Sequence, residues 1–335
     1  MSPSWPRTLA RGGVPFSSIG FGAAPIGNLF SAVEDEAAQA ALLSAWQGGV
    51  SYFDTAPYYG YGLSERRVGR FLSQLRAPAL TISTKVGRLI GPGPAGAPVT
   101  GEYAASGAAV FDYSRDGIRR SFESSLERLG RERVDILLLH DVGAATHGAR
   151  HAEMFKMALD QALPAMAQLK ADGACRAIGI GVNEETVCLE VMRHFDLDCI
   201  LLAGRYSLLD HASLHGVMAE AQRRGVGLII GGPYNSGLLA GKSAPGATYD
   251  YRPADAEVLR RARRLYALCA ELGVDVGAAA LQFPLAHPAV VTVVVGLRSA
   301  AEVRQALERI ATPIASSVWQ ALRAAGFILA EAPTP

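Results

Sequence analysis

Four side chains that can exchange or orient protons lie at or just after the ends of short apolar runs. Asp54, Lys85 and His140 each end one run, and Tyr59 follows Asp54 by five residues in a short loop. A free tyrosine has a pKa of about 10 and exchanges protons poorly near neutral pH, so it needs a neighbouring cation. Lys85 would lower the pKa of Tyr59, Asp54 would keep Lys85 charged, and His140 would orient a substrate oxygen. We therefore expect acid–base chemistry at these four residues, without a metal.

Each residue alone has an ordinary structural role, such as a helix cap, a solvated cation or a buried imidazole. The four together are informative because they follow consecutive apolar runs, and catalytic groups must converge in one place. Two pairs with H-x₃-H spacing, His147 with His151 and His211 with His215, could share a metal ion. No third ligand accompanies either pair, so we predict no metal site.

The runs that carry these residues belong to an alternation of short apolar segments with longer amphipathic segments along the whole chain. The short segments predict buried parallel strands at Ile19–Gly22, Tyr52–Asp54, Leu80–Lys85, Val134–His140, Ala177–Val182, Cys199–Leu202, Gly227–Gly231 and Val291–Val295. The longer segments predict helices at Glu34–Gln47, Ser64–Leu75, Ser114–Leu129, Gln161–Asp172, Glu184–His194, Ala212–Arg224, Ala254–Leu272 and Ala300–Ile310. Eight such units predict an α/β fold, one (β/α)₈ TIM barrel domain over residues 1–335, since no glycine fingerprint of a doubly wound sheet follows the first strand.

Two additions flank the eight units. A β-hairpin is predicted over Arg7–Phe16, and an extra C-terminal helix is predicted near Ala315–Ala325. Two long segments, Arg88–Asp112 and His140–Met157, follow the third and fourth predicted strands. Barrels of this kind carry their chemistry on the face where the strands end, so both loops should border the site and set its specificity.

The composition restricts the partners and the location. With 335 residues, 50% hydrophobic and 19% charged, the chain can bury a large core without disulfides or metals. A formal net charge of +1 gives no reason to expect nucleic acid or a membrane, so the natural partner is a small molecule or another subunit. The four cysteines form no C-x-x-C pair, and no run resembles a signal peptide or a membrane span, which favours reduced thiols and a cytoplasmic location.

The segment Asp54–Gly60 reads D-T-A-P-Y-Y-G, and a strand-ending lysine and a strand-ending histidine follow it. In these features the chain resembles the aldo-keto reductase family over essentially its full length. Phe21–Phe30 and Leu202–Leu209 resemble the bacterial branch that contains L-fucose and D-threo-aldose 1-dehydrogenases and pyridoxal 4-dehydrogenase. The resemblance implies NAD(P)-dependent oxidation of an aldose at C1 to the lactone. It leaves open pyridoxal oxidation, general aldehyde or ketone reduction, and a subunit that senses redox state through bound nicotinamide.

The resemblance also implies a set of cofactor-binding residues: Gly22, Asn183, Tyr206, Gly232, Ser236, Gly237, Leu238, Gly296, Arg298, Ser299 and Glu302. Asn183 would hold the carboxamide, and Tyr206 would stack on the nicotinamide. Val182 and Ala203 depart from the serine and glutamine that are usual in the family. Glu302 would disfavour the 2′-phosphate of NADP, whereas Arg298 would accept it, so either NAD or NADP is expected with a slight preference for NAD.

Overall fold

Eight parallel strands close into a barrel, in a computed structural model that describes residues 6–75, 79–93, 102–241, 248–250 and 252–335. The barrel strands are β1 (Ile19–Gly22), β2 (Tyr52–Asp54), β3 (Thr81–Val86), β4 (Ile136–His140), β5 (Ala177–Val182), β6 (Cys199–Ala203), β7 (Gly227–Gly231) and β8 (Val290–Gly296). Each strand pairs in parallel with the next along the chain, and β8 returns to β1. The predicted (β/α)₈ barrel is confirmed.

Helices follow the strands and surround the barrel. They are α1 (Asp35–Gln47), α2 (Leu63–Ser73), α3 (Arg115–Leu129), α4 (Ala144–His147), α5 (His151–Met157), α6 (Leu163–Ala171), α7 (Glu185–His194), α8 (Val217–Arg224), α9 (Ala256–Glu271), α10 (Val276–Leu285), α11 (Ala300–Ala311) and α12 (Ser316–Ala324). Helix α12 is the predicted C-terminal addition. Apolar side chains between this outer layer and the strands form the larger part of the hydrophobic core.

The predicted N-terminal hairpin is present and covers the end of the barrel opposite the strand C-termini. Arg7–Thr8 pairs antiparallel with Pro15–Phe16. Leu9, Val14 and Phe16 are buried in a second apolar cluster with residues of the barrel interior. Burial of these side chains stabilises this end by roughly 1.5–3 kcal/mol for each large residue, and the strand ends at the other face remain open for chemistry.

Three regions differ from the predicted elements. Helix α10 was not predicted, because almost all of its residues are buried and it contains Pro284, so it shows no amphipathic pattern. The predicted helix Ala212–Arg224 is broken: a 3₁₀ turn at Ala212–Leu214 is followed by α8. The segment predicted as a loop over His140–Met157 is largely helical, since it contains α4 and α5.

The other long segment forms a hairpin. Arg88–Gly91 pairs antiparallel with Ala108–Phe111, and this hairpin rises from the end of β3. Residues 94–101 of the predicted loop lie outside the described residues.

Within the described ranges, we find no single helix with the length and apolarity needed to cross a membrane. The pair α9 and α10 passes that test only when taken together, and the two helices are bent by 101° at their junction.

Candidate active site

Asp54 and Lys85 form a buried ion pair at the ends of β2 and β3. The Lys85 Nζ lies 2.7 Å from Asp54 Oδ2, and the two side chains are 1% and 4% exposed. The same ammonium donates a hydrogen bond to the Thr55 carbonyl at 2.9 Å. Burial makes such a charge costly unless a counter-charge and hydrogen bonds offset the lost hydration. The structure therefore brings these two predicted residues together.

The other carboxylate oxygen of Asp54 is held by a residue that the sequence analysis did not single out. Ser83 donates a hydrogen bond to Asp54 Oδ1 at 2.7 Å, and the Tyr52 hydroxyl contacts Ser83 Oγ at 2.9 Å. Burial, and then the charge of Asp54, raises the pKa of Tyr52 well above its ordinary value. Tyr52 is thus held as a neutral phenol, and the only signal for Ser83 in the sequence is its place two residues before Lys85.

Tyr59 lies beside this ion pair, on the loop between β2 and α2. The Lys85 Nζ is 4.5 Å from the centroid of the Tyr59 ring, and the His140 ring lies 5.9 Å away, nearly perpendicular to it. A Cβ atom at Gly60 would lie 2.2 Å from the carbonyl oxygen of Gly27, so the two backbones are in direct contact. This contact fixes the height of the Tyr59 loop over the barrel mouth.

His140 completes the group at the end of β4. Its Nε2 lies 3.5 Å from Asp141 Oδ2. Burial lowers the pKa of His140 to about 3, an effect that Asp141 opposes and the cations Arg88 and Lys85 reinforce. The imidazole is therefore neutral near neutral pH. Its main-chain carbonyl accepts a hydrogen bond from the Tyr113 hydroxyl at 2.6 Å, which anchors the strand end.

Two cavities open on this face and meet at Tyr59. The larger, of about 690 Å³, is lined by Tyr59, Lys85 and His140 together with Arg88 and residues of the loops after β4 to β7. The second, of about 550 Å³, is lined by Asp54 and Tyr59 and by the segments that follow β1, β7 and β8. The predicted tetrad thus lies at the junction of the two spaces.

A family comparison assigns residues 18–326 to the Aldo/keto reductase family. The chain belongs to this family. It is 40% identical to pyridoxal 4-dehydrogenase of Microbacterium luteolum, over 96% of this chain and 97% of that one. It is 37% identical to D-threo-aldose 1-dehydrogenase of a Pseudomonas species over the full length of both. Among solved structures, the holo form of aldo-keto reductase AKR11C1 from Bacillus halodurans superposes with a TM-score of 0.74 at 25% identity, over 95% of each chain.

As an aldo/keto reductase, the chain is an oxidoreductase that uses NAD(P), and the second cavity fits such a dinucleotide. Of the residues that the resemblance implied, seven line it: Gly22, Gly232, Ser236, Gly237, Gly296, Arg298 and Glu302. A Cβ atom at Gly22 would lie 2.9 Å from the Val294 side chain, so this wall has to be bare backbone. The cavity also borders the first turn of α11 at Arg298 and Glu302, and the positive end of a helix dipole suits a phosphate.

The remaining cofactor predictions have different outcomes in this aldo/keto reductase. Asn183 lines the larger cavity rather than the second one. Leu238 is 3% exposed and is absent from the lining of either cavity. Ser299 is also absent from both linings, and its hydroxyl caps α11 by accepting a hydrogen bond from the Glu302 N–H. The cofactor-binding roles of Ser299 and Leu238 therefore stay predictions.

The predicted stacking role of Tyr206 is wrong in this structure. Its ring is fully buried, packs 5.1 Å from the ring of Phe283 in α10, and lines neither cavity. The physical reason is the backbone after β6: Gly204 and Tyr206 both have left-handed φ values, of 71° and 58°, and the chain turns the ring toward the outer helices. Arg205, between them, faces the larger cavity instead.

The two histidine pairs have no shared ligand site. His147 contacts the Tyr113 hydroxyl at 3.1 Å and packs against Phe111, whereas His151 packs against the ring of Phe155. His211 is buried and His215 is exposed, so their side chains lie in different environments. Over the described ranges, no group of three or more His, Cys, Asp or Glu side chains could hold a metal ion. The four cysteines are free and buried.

Proposed function

We propose that this enzyme oxidises an aldose at C1 to the lactone. The observation that carries the proposal is the buried Asp54–Lys85 pair beside Tyr59, at the edge of a cavity whose walls are rich in charged and hydrogen-bonding groups. A sugar needs such walls because each buried hydroxyl must find a partner. The 37% identity to D-threo-aldose 1-dehydrogenase supports the same substrate class.

The four residues divide the chemistry between them. Tyr59, as a phenolate that the ammonium of Lys85 stabilises, accepts the proton of the anomeric hydroxyl and becomes a neutral phenol. Asp54 keeps Lys85 charged, and Ser83 keeps Asp54 in place. His140, neutral because of its lowered pKa, donates a hydrogen bond to the reacting oxygen. The bound nicotinamide supplies the acceptor for the hydride that leaves C1.

The preferred cofactor is proposed to be NAD. The Arg298 guanidinium contacts Glu302 Oε1 at 3.1 Å and Ser31 Oγ at 3.0 Å, and the Arg298 N–H donates to Glu302 Oε2 at 2.9 Å. A 2′-phosphate would have to compete with this carboxylate for the guanidinium, and this competition lowers the affinity for NADP. Asn183 is proposed to bind the carboxamide from the side of the larger cavity.

Pyridoxal oxidation is a second candidate, because one feature of the cavity wall favours it. The rings of Tyr59 and Tyr103 lie 6.1 Å apart at 27° and form an aromatic wall suited to a pyridine ring. The 40% identity to pyridoxal 4-dehydrogenase favours it as well. A carbonyl reductase would use the same four residues in the opposite direction.

The proposal is tested by a panel of aldoses, pyridoxal and simple aldehydes, with NAD⁺, NADP⁺ and the reduced cofactors, followed by the absorbance of reduced nicotinamide. We expect the highest kcat/KM for an aldose with NAD⁺. A highest value for pyridoxal, or for reduction of an aldehyde, would replace the aldose assignment with that alternative. Cofactor binding without turnover of any compound would favour a redox-sensing subunit.

A further inference from the structure

The cationic side chains that line the larger cavity are mostly paired with carboxylates. The Arg88 guanidinium donates a hydrogen bond to the Asp141 carboxylate. Arg205 binds Asp250 with both guanidinium nitrogens, at 3.0 and 2.8 Å. Lys85 is already paired with Asp54, so these three cations carry counter-charges of their own.

Arg88 and Asp141 form the pair closest to the reacting group. The Arg88 guanidinium lies between two aromatic rings, 3.9 Å from the centroid of Tyr58 and 4.4 Å from that of Phe111. The two charged side chains are 12% and 21% exposed, and Asp141 also reaches the His140 Nε2 at 3.5 Å. The stacking limits rotation of the guanidinium, so the pair presents donors and acceptors at fixed positions beside His140.

Apart from these three ion pairs, the described side chains that line the larger cavity carry a net negative charge. Of the other charged side chains in the lining, one is the guanidinium of Arg252 and three are carboxylates, Glu102, Glu184 and Asp255. His140 adds no charge near neutral pH because burial keeps it neutral. An anionic substrate would lose hydration on entry and meet this excess of carboxylates, of which Glu184 is half-buried and less screened by solvent than the exposed Glu102 and Asp255.

We propose that the cavity selects uncharged polyhydroxylated substrates and that the Arg88–Asp141 pair determines this specificity. This inference rests on the aldose oxidation proposed above. Sugar hydroxyls both donate and accept hydrogen bonds, so they match a fixed guanidinium and carboxylate side by side. A sugar acid or a sugar phosphate finds the guanidinium already neutralised. The substrate class is therefore the free neutral aldose.

The first experiment compares each neutral aldose of the panel with its uronic acid, for example L-galactose with L-galacturonate, which differ only at C6. We expect kcat/KM to be at least tenfold lower for every acid. An acid that equals or exceeds its neutral sugar overturns this inference while aldose oxidation stands. If the enzyme oxidises no sugar at all, the proposed function itself fails, so the two failures are distinguishable.

The second experiment changes the pair by Asp141→Asn, which removes a carboxylate and leaves the Arg88 guanidinium with an uncharged neighbour. We expect the ratio of kcat/KM for the acid to that for the neutral sugar to rise at least tenfold. A ratio is used because a general loss of activity through His140 cancels from it. The matched control is Asp160→Asn, at an exposed partner of Lys156 that is not among the lining residues, which should leave the ratio unchanged.

An unchanged ratio in Asp141→Asn would overturn the role of the pair. Tryptophan fluorescence and binding of the reduced cofactor establish that the variant is folded. If it does not fold, the comparison of neutral and acidic sugars on the unmodified enzyme still decides the selection against charge.

Discussion

Replacing Asp54 by Asn leaves the buried ammonium of Lys85 without a counter-charge. The amide oxygen can still accept the hydrogen bond from Ser83, which is 2.7 Å long, but its NH2 group then faces Lys85 Nζ, so the change removes both the charge and the acceptor of the ammonium. Both partners are at most 4% exposed, so water cannot replace the carboxylate cheaply. Breaking such a pair from one side costs about 3–5 kcal/mol. We expect Asp54→Asn to lower the free energy of unfolding by that amount, and activity with it.

The assay is urea unfolding at pH 7 of the unmodified protein, Asp54→Asn, Lys85→Met and the double variant. The double variant should regain part of the stability that Asp54→Asn loses, since it no longer buries an unpaired charge. Asp160→Asn serves as the control, because its ion pair with Lys156 is 55% and 77% exposed and should be worth less than about 1 kcal/mol. A loss in Asp54→Asn no larger than in this control would refute the reasoning, as would a double variant whose losses simply add.

Four further predictions concern chemistry, cofactor and pH. Tyr59→Phe should keep cofactor affinity and lower turnover by orders of magnitude, because it removes only the proton-transferring hydroxyl; retained turnover would exclude its role. Glu302→Gln should raise the relative use of NADP⁺, and an unchanged cofactor ratio would show that this carboxylate does not reach the 2′-position. For a sugar that is oxidised slowly, kcat/KM should rise with pH through one ionisation, and Lys85→Met should shift this ionisation to higher pH. A kcat/KM that does not change with pH, when chemistry is rate-limiting, contradicts the phenolate mechanism. Burial lowers the pKa of His287 to about 4, so its contribution to stability is complete above about pH 6.5 and is lost as the pH falls toward 4. Between pH 6.5 and 4, the free energy of unfolding should therefore fall less in His287→Asn than in the unmodified protein, by at most about 3 kcal/mol. An identical fall in both proteins would exclude a contribution from this histidine.

The sequence predicted the strand ends well because the barrel strands are buried on both faces and five of the eight end at a polar or glycine residue. Strands β1, β2, β5 and β7 have the predicted bounds, and the ends of β2, β3 and β4 carry Asp54, Lys85 and His140. The parallel barrel then brings those ends to one face without further information. Helix α10 was not predicted because almost all of its residues are buried, so its sequence shows no alternation of apolar and polar faces.

Predictions that depended on side-chain direction were weaker. Tyr206 follows β6 as expected, but two left-handed backbone angles, invisible in the sequence, turn its ring away from the mouth. Arg88 and Asp141 were not predicted as a pair, since they lie 53 positions apart and meet only through the hairpin that rises from β3. The alternation of apolar and amphipathic segments indicates which residues end the strands. The conformation of the loops determines which residues after the strand ends come into contact.

The hairpin that covers the far end of the barrel has a consequence for how this enzyme can diverge. Leu9, Val14 and Phe16 are buried there with the barrel interior, on the side away from the tetrad. We expect substitutions at that end to affect stability and substitutions in the loops after the strands to affect which substrate is accepted. Stability and substrate preference can therefore change at opposite ends of the barrel, so new substrates can arise in the loops above an unchanged base.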